Sequence, residues 1–211
     1  MKWFLSLFSD SLGELKKLST LTTTGILTAL GIALEYLVVN VSDTLQIKFS
    51  FLAVALIAML YGPVVSMMSA TILDIVSGLL HGEVWPELVL VKILAGLIFG
   101  ILLYKAKTPY TSSRNLGESF GAFFKSKYGY LFMLRAFISK LLVNVVCNIF
   151  LTTLIMRNRL GGASYIARLT TAIPKNLILL PIEVLLMLVI LVPVYNVYNT
   201  YFRKTAHKAV R

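Results

Sequence analysis

A single cysteine, Cys147, in 211 residues leaves no partner for an intrachain disulfide and no thiolate framework for zinc. Acidic residues are scarce too: nine Asp and Glu against 20 Lys and Arg give a formal net charge of +11. Charged residues make up 14% of the chain, where a soluble domain carries about 25%. There is no G-x-x-x-x-G-K-[ST] loop, so the chain cannot hydrolyse ATP alone, and neither H-E-x-x-H nor a G-x-S-x-G nucleophile elbow occurs. His81 and His207 have no metal-ligand partner at suitable spacing, so no cofactor or metal is expected. The N-terminus also lacks the continuous apolar core of a secretory signal, because Ser9, Asp10, Ser11, Gly13 and Glu14 interrupt it.

What remains is hydrophobic: 58% of the residues are apolar and the mean hydropathy is +0.84. That excludes an ordinary soluble domain, and it turns the basic excess from a nucleic-acid signal into a topological one. Six apolar segments reach or approach the roughly 20 residues a spanning helix needs. They cover about 21–41, 49–61, 64–80, 86–104, 131–156 and 173–201. Gly62-Pro63 separates the second from the third, and Pro86 suits a first helical turn. The expectation is an all-α integral membrane protein of six transmembrane helices.

Twelve of the 20 cations, Lys2, Lys16, Lys17, Lys105, Lys107, Arg114, Lys125, Lys127, Arg203, Lys204, Lys208 and Arg211, fall on one side of this arrangement. Short cytoplasmic loops retain Lys and Arg, so both termini are assigned to the cytoplasm. The last external segment, Arg157 to Thr171, runs against the trend with Arg157, Arg159 and Arg168. No internal repeat divides the chain. It reads as an amphipathic segment, 1–18, one membrane domain, 19–202, and a basic tail, 203–211. Trp3, Phe4, Leu7, Phe8, Leu12, Leu15 and Leu18 recur at helical intervals, which suits either an interfacial helix or an arm packed on the bundle.

Ionisable groups at membrane depth are costly and tend to face a bundle interior where they serve a function. Asp74, Glu87, Lys92, Asn148, Arg168, Lys175 and Asn176 all map to the outer half of their helices and are expected to converge on one outward-facing cavity. Glu87 and Lys92 suit either ligand contact or an interhelical pair. Arg168, Lys175 and Asn176 suit an anionic solute held by charge-assisted hydrogen bonds, with lipid headgroups as the alternative. Trp85 is read either as an interfacial aromatic or as a ligand contact. Lys140 and Arg135, nearer the cytoplasmic end, are expected to snorkel. Gly25, Ala29 and Ala33 form a strip of small side chains along the first span, which lets another helix approach closely.

The stretch Arg168-Leu-Thr-Thr-Ala-Ile-Pro-Lys-Asn-Leu-Ile-Leu-Leu-Pro-Ile-Glu183 resembles the signature entering the last helix of folate-type S components, the substrate-capture subunits of energy-coupling factor (ECF) vitamin transporters. Ala70-Thr-Ile-Leu-Asp74, Gly96-Leu-Ile-Phe-Gly100, Asn148-Ile-Phe-Leu-Thr-Thr153 and the strip Gly25, Ala29, Ala33 support the resemblance. It implies an S-component-like bundle in a bacterial plasma membrane that binds a water-soluble vitamin. The implied partners are a transmembrane scaffold subunit, met through the small-residue strip, and two ATPase subunits. It does not imply an enzyme. For folate, Asp74 would partner the pterin, Trp85 would stack on it, and Arg168 and Lys175 would hold the carboxylates. Pantothenate, which needs one cation, is the alternative substrate. Two readings from other classes are an autonomous proton-coupled carrier with Asp74 or Glu183 as relay and a lipid-headgroup enzyme, which no paired catalytic carboxylates support.

Overall fold

Among the described residues, five helices are long and apolar enough to cross a membrane, and a sixth, shorter one is buried among them. The structure is a computed structural model that describes residues 2–40, 46–82, 84–106, 126–160 and 164–198. Most of the polar stretch after the fourth span and the whole basic tail lie outside the described residues, as do the side chains of Trp3, Phe4 and Arg168.

Helix α1 (Lys2–Leu15) leads into α2 (Leu18–Tyr36). Strands β1 (Val38–Asn40) and β2 (Gln46–Lys48) pair antiparallel, with Val38 opposite Lys48 and Asn40 opposite Gln46. Then come α3 (Ser50–Tyr61), α4 (Pro63–Leu80) and α5 (Pro86–Leu103). Helix α6 (Lys127–Leu142) continues through nine residues of wider π-helical winding (Val143–Leu151) into α7 (Thr152–Leu160), and α8 (Ser164–Tyr198) closes the bundle.

Two boundaries depart from the hydropathy reading. The first span was expected to reach Val41, but α2 stops at Tyr36, because the β-branched pair Val38-Val39 enters the hairpin instead. The polar segment from Arg157 to Thr171 was expected to be an external loop. Its described residues are all helical, in α7 up to Leu160 and in α8 from Ser164, so Arg168 stands on α8 itself. Pro174, Pro181 and Pro193 all lie inside that helix, a pattern membrane helices tolerate when neighbouring groups re-satisfy the freed carbonyls.

Helix α3 is apolar all round and buried all round, from Leu52 to Met59 without exception, as expected of a helix at the centre of a bundle. Its 12 residues span only about 18 Å at 1.5 Å each, well short of a hydrocarbon core of about 30 Å. The hairpin fills part of the shortfall, and the rest is open space.

A one-residue turn at Gly62 joins α3 to α4, with φ +89°, a conformation glycine adopts without steric cost. No side chain within α4 caps its N-terminus; α1 does it from outside. Ser11 Oγ donates to the Tyr61 carbonyl at 2.8 Å and accepts from the Val64 and Val65 amides at 3.1 and 3.4 Å. Leu7 is buried on the same face, and Asp10 pairs with Lys105 at 2.5 Å just beyond α5. This is the α1 end of the bundle. At the opposite, hairpin end, Tyr36 stacks on His81 with ring centroids 5.0 Å apart.

Helices α4 and α5 pack closely because Gly96 and Gly100 expose backbone to their neighbours. A Cβ at Gly96 would lie 2.9 Å from the Ser66 carbonyl oxygen, and one at Gly100 only 2.3 Å from Pro63 Cα. Ser66 Oγ uses that proximity to donate to the Gly96 carbonyl at 2.8 Å. Gly100→Ala therefore forces rigid backbone apart and is expected to destabilise by about 1 to 3 kcal/mol. Gly25→Ala, where an added Cβ meets nothing within 4 Å, should leave thermal unfolding in detergent unchanged. Equal melting temperatures for the two variants would contradict this packing account.

Candidate functional site

The space left by the short α3 is a cavity of about 590 Å³ in the hairpin half of the bundle. Its size lies within the range of about 300 to 1,000 Å³ typical of small-molecule sites. Every long helix except α2 supplies part of the wall. From α8 come Thr171, Lys175, Leu179 and Glu183, four residues apart on one face, with Asn176 beside Lys175. Lys92, Ala95 and Phe99 repeat that spacing on α5, while Ala70 and Leu73 on α4 and Phe51 and Val54 on α3 make the wall apolar. The hairpin brings Gln46 and Lys48 over the opening, and α6, the π segment and α7 contribute Lys140, Asn148, Thr152 and Thr153.

Four of the eight residues proposed from sequence meet here: Lys92, Asn148, Lys175 and Asn176. Three do not line the cavity. Asp74 stands one turn beyond Ala70 on α4, within electrostatic reach of Glu35, Lys48 and Lys92. Trp85 is the N-cap of α5 and Glu87 lies in its first turn, both half-buried. Among the described residues, the aromatic rings that line the cavity are those of Phe51 and Phe99. Arg168 lies on α8, with its side chain outside the described residues.

The largest correction concerns Lys140. Instead of snorkelling to an interface it is 2% exposed, and its Nζ lies 3.1 Å from Glu183 Oε1 and 3.6 Å from the centre of the Phe51 ring. Glu183 Oε2 accepts from Asn144 Nδ2 at 3.0 Å, and Asn144 Oδ1 accepts from Asn148 Nδ2 at the same distance. Asn176 Nδ2 donates to the Ala172 carbonyl at 2.8 Å. A buried ion pair, extended by amides up one wall, thus forms part of the cavity lining. The two asparagines lie in the π segment, where Thr152 Oγ1 reaches back to the Cys147 carbonyl at 2.8 Å; such wide turns are frequent at functional sites.

Among the described residues, four lysines line the cavity against one carboxylate. Lys140 is paired with Glu183, and Lys48 is held by Glu35 at 3.2 Å. Lys92 and Lys175 have no ion-pair partner among the described residues. The lining therefore has surplus positive charge beside aromatic walls and rows of hydroxyl and amide groups, an arrangement suited to an elongated anionic aromatic solute.

Removing one member of a buried pair strands the other, at a cost of about 3 to 5 kcal/mol, whereas replacing both is often neutral. Lys140→Met is accordingly expected to lower the melting temperature sharply, and Lys140→Met/Glu183→Gln to restore most of it. A double variant no more stable than the single one would mean that the pair does not hold this wall.

Residues 19–191 match the family described as ECF transporter, substrate-specific component. Among solved structures, a crystal structure of FolT bound with folic acid matches with a TM-score of 0.61 and 25% sequence identity, covering 81% of this chain and 91% of that one. No curated protein matches.

Proposed function

The chain belongs to the family of ECF transporter substrate-specific components, and from that membership we propose that it captures folate in the hairpin-end cavity for import by a scaffold and ATPase module. The observation that carries the folate reading is the pairing, in one cavity, of aromatic walls at Phe51 and Phe99 with the unpaired cations Lys92 and Lys175. Folate is a flat pterin joined through a benzoyl group to a glutamate with two carboxylates, and each part has a counterpart here. Pantothenate has no ring and a single carboxylate, so it would leave the aromatic surface and one lysine unused. The solved FolT structure, with folic acid bound, supports the same substrate class.

In this reading Lys175 and Lys92 hold the carboxylates by charge-assisted hydrogen bonds, and Asn148, Asn176, Thr152 and Thr171 satisfy the polar linker. Arg168 stands seven residues before Lys175 on the same helix, α8. The hairpin end faces outward, because Lys16, Lys17, Lys105 and Lys127 flank the opposite end and mark it as cytoplasmic. The membrane is then a bacterial plasma membrane.

The scaffold meets the strip Gly25, Ala29 and Ala33. All three are exposed on α2, whose contact with the bundle is made instead by Thr28, bonded to Ser69 Oγ at 2.7 Å, and by Gly31 against Leu73 and Ala53. The strip is thus a smooth surface for another helix. Transport energy comes from the ATPases, since this chain has no nucleotide-binding motif.

Calorimetric titration of the purified chain is expected to give one-to-one binding of folate that pantothenate does not displace. Lys175→Met should weaken folate binding by about tenfold or more, as loss of a hydrogen bond to a charged group does. Tight binding of pantothenate alone would reassign the substrate, and binding of neither would overturn the reading. Gly25→Leu/Ala29→Leu is expected to retain folate binding while uptake by the assembled transporter fails; loss of binding as well would give the strip a folding role.

A further inference from the structure

Glu183 is the one carboxylate lining the cavity among the described residues, and the folate reading above gives it no role. It is 8% exposed and fixed on both sides, by Lys140 at Oε1 and by Asn144 at Oε2. A carboxylate offers about four acceptor positions. The protein fills one on each oxygen, which leaves acceptor capacity on both. Lys140 already balances the charge, so the matching ligand group is an uncharged edge with two adjacent donors, not a cation.

Resting on the folate reading, we propose that Glu183 selects the ring end of the substrate: its carboxylate takes the adjacent N–H and NH₂ donors of a 2-amino-4-oxopyrimidine edge, such as that of a pterin. Lys140 and Asn144 are positioning residues that set the orientation of the carboxylate. The surroundings fit a flat ring. Phe51 carries the Lys140 ammonium against its face at 3.6 Å, and Phe99 lines the neighbouring wall. Glu183 and Lys175 lie eight residues apart on the cavity face of α8, about 12 Å along the axis. The helix therefore presents an acid to one end of an elongated ligand and a cation to the other, and the ring end enters first.

The test uses the full chain in detergent with three ligands: folate, pterin alone, and p-aminobenzoylglutamate, which keeps the carboxylates but lacks the ring. In Glu183→Gln an amide NH₂ replaces one acceptor and meets a donor. Folate and pterin affinities should both fall on the order of 10- to 100-fold, while p-aminobenzoylglutamate binds as before. Lys140→Met/Glu183→Gln, which strands no charge, should show the same ligand-selective loss and covers the case in which the single variant fails to fold. Asn144→Ala, which removes the donor to Oε2 together with the acceptor for Asn148 Nδ2, should give a smaller loss of folate and pterin affinity. Unaltered pterin binding in the double variant overturns the proposal, and so does an equal loss for all three ligands. Failure of the parent chain to bind folate would instead overturn the functional reading on which it rests.

Discussion

A charge at membrane depth must face an opposite charge or water, and Lys140 and Glu183 meet that constraint by facing each other. Much of the cavity half of the bundle is arranged around this pair. It ties α6 to α8, fixes Asn144 and through it Asn148, and brings an ammonium onto the Phe51 ring at the start of α3. A well-packed apolar pair could hold the same helices together. What an apolar pair would not supply is a wall with acceptor capacity directed into a cavity.

That cavity in turn depends on a helix that is too short. Because α3 begins only at Ser50, directly after a pair of three-residue strands, the hairpin end is left partly hollow while the α1 end is closed. The closure is specific: Gly62 permits the turn, Ser11 caps α4 from a different helix, and Asp10 holds Lys105 beyond α5. One end of the bundle is locked by hydrogen bonds and the other is open to solute. A capture subunit needs that asymmetry if it is to bind from one side only.

The six apolar segments were legible because hydropathy reports burial in lipid or protein directly, and the polar face of the last helix was legible because its residues repeat at helical spacing. Lys92, Asn148, Lys175 and Asn176 could be assigned to one site on those grounds. Lys140 could not. Its position near one end of a hydrophobic segment looks the same in sequence whether it snorkels or pairs with a residue 43 positions away, and only the packing of α6 on α8 decides. Gln46 and Lys48 went unnoticed because three-residue strands carry almost no periodic signal. Phe51 and Phe99 are indistinguishable in sequence from lipid-facing aromatics. Trp85, by contrast, drew attention by residue type but is the N-cap of α5 and does not line the cavity.

The proposed division of labour, capture by this chain and transport only with partners, can be checked by folate accumulation in liposomes reconstituted with the chain by itself, beside liposomes that also contain the scaffold and ATPase subunits with ATP inside or outside according to orientation. Binding without accumulation is expected in the first set and ATP-dependent accumulation in the second. Accumulation by the chain alone, abolished by a protonophore, would refute that division and make Glu183 part of a proton relay.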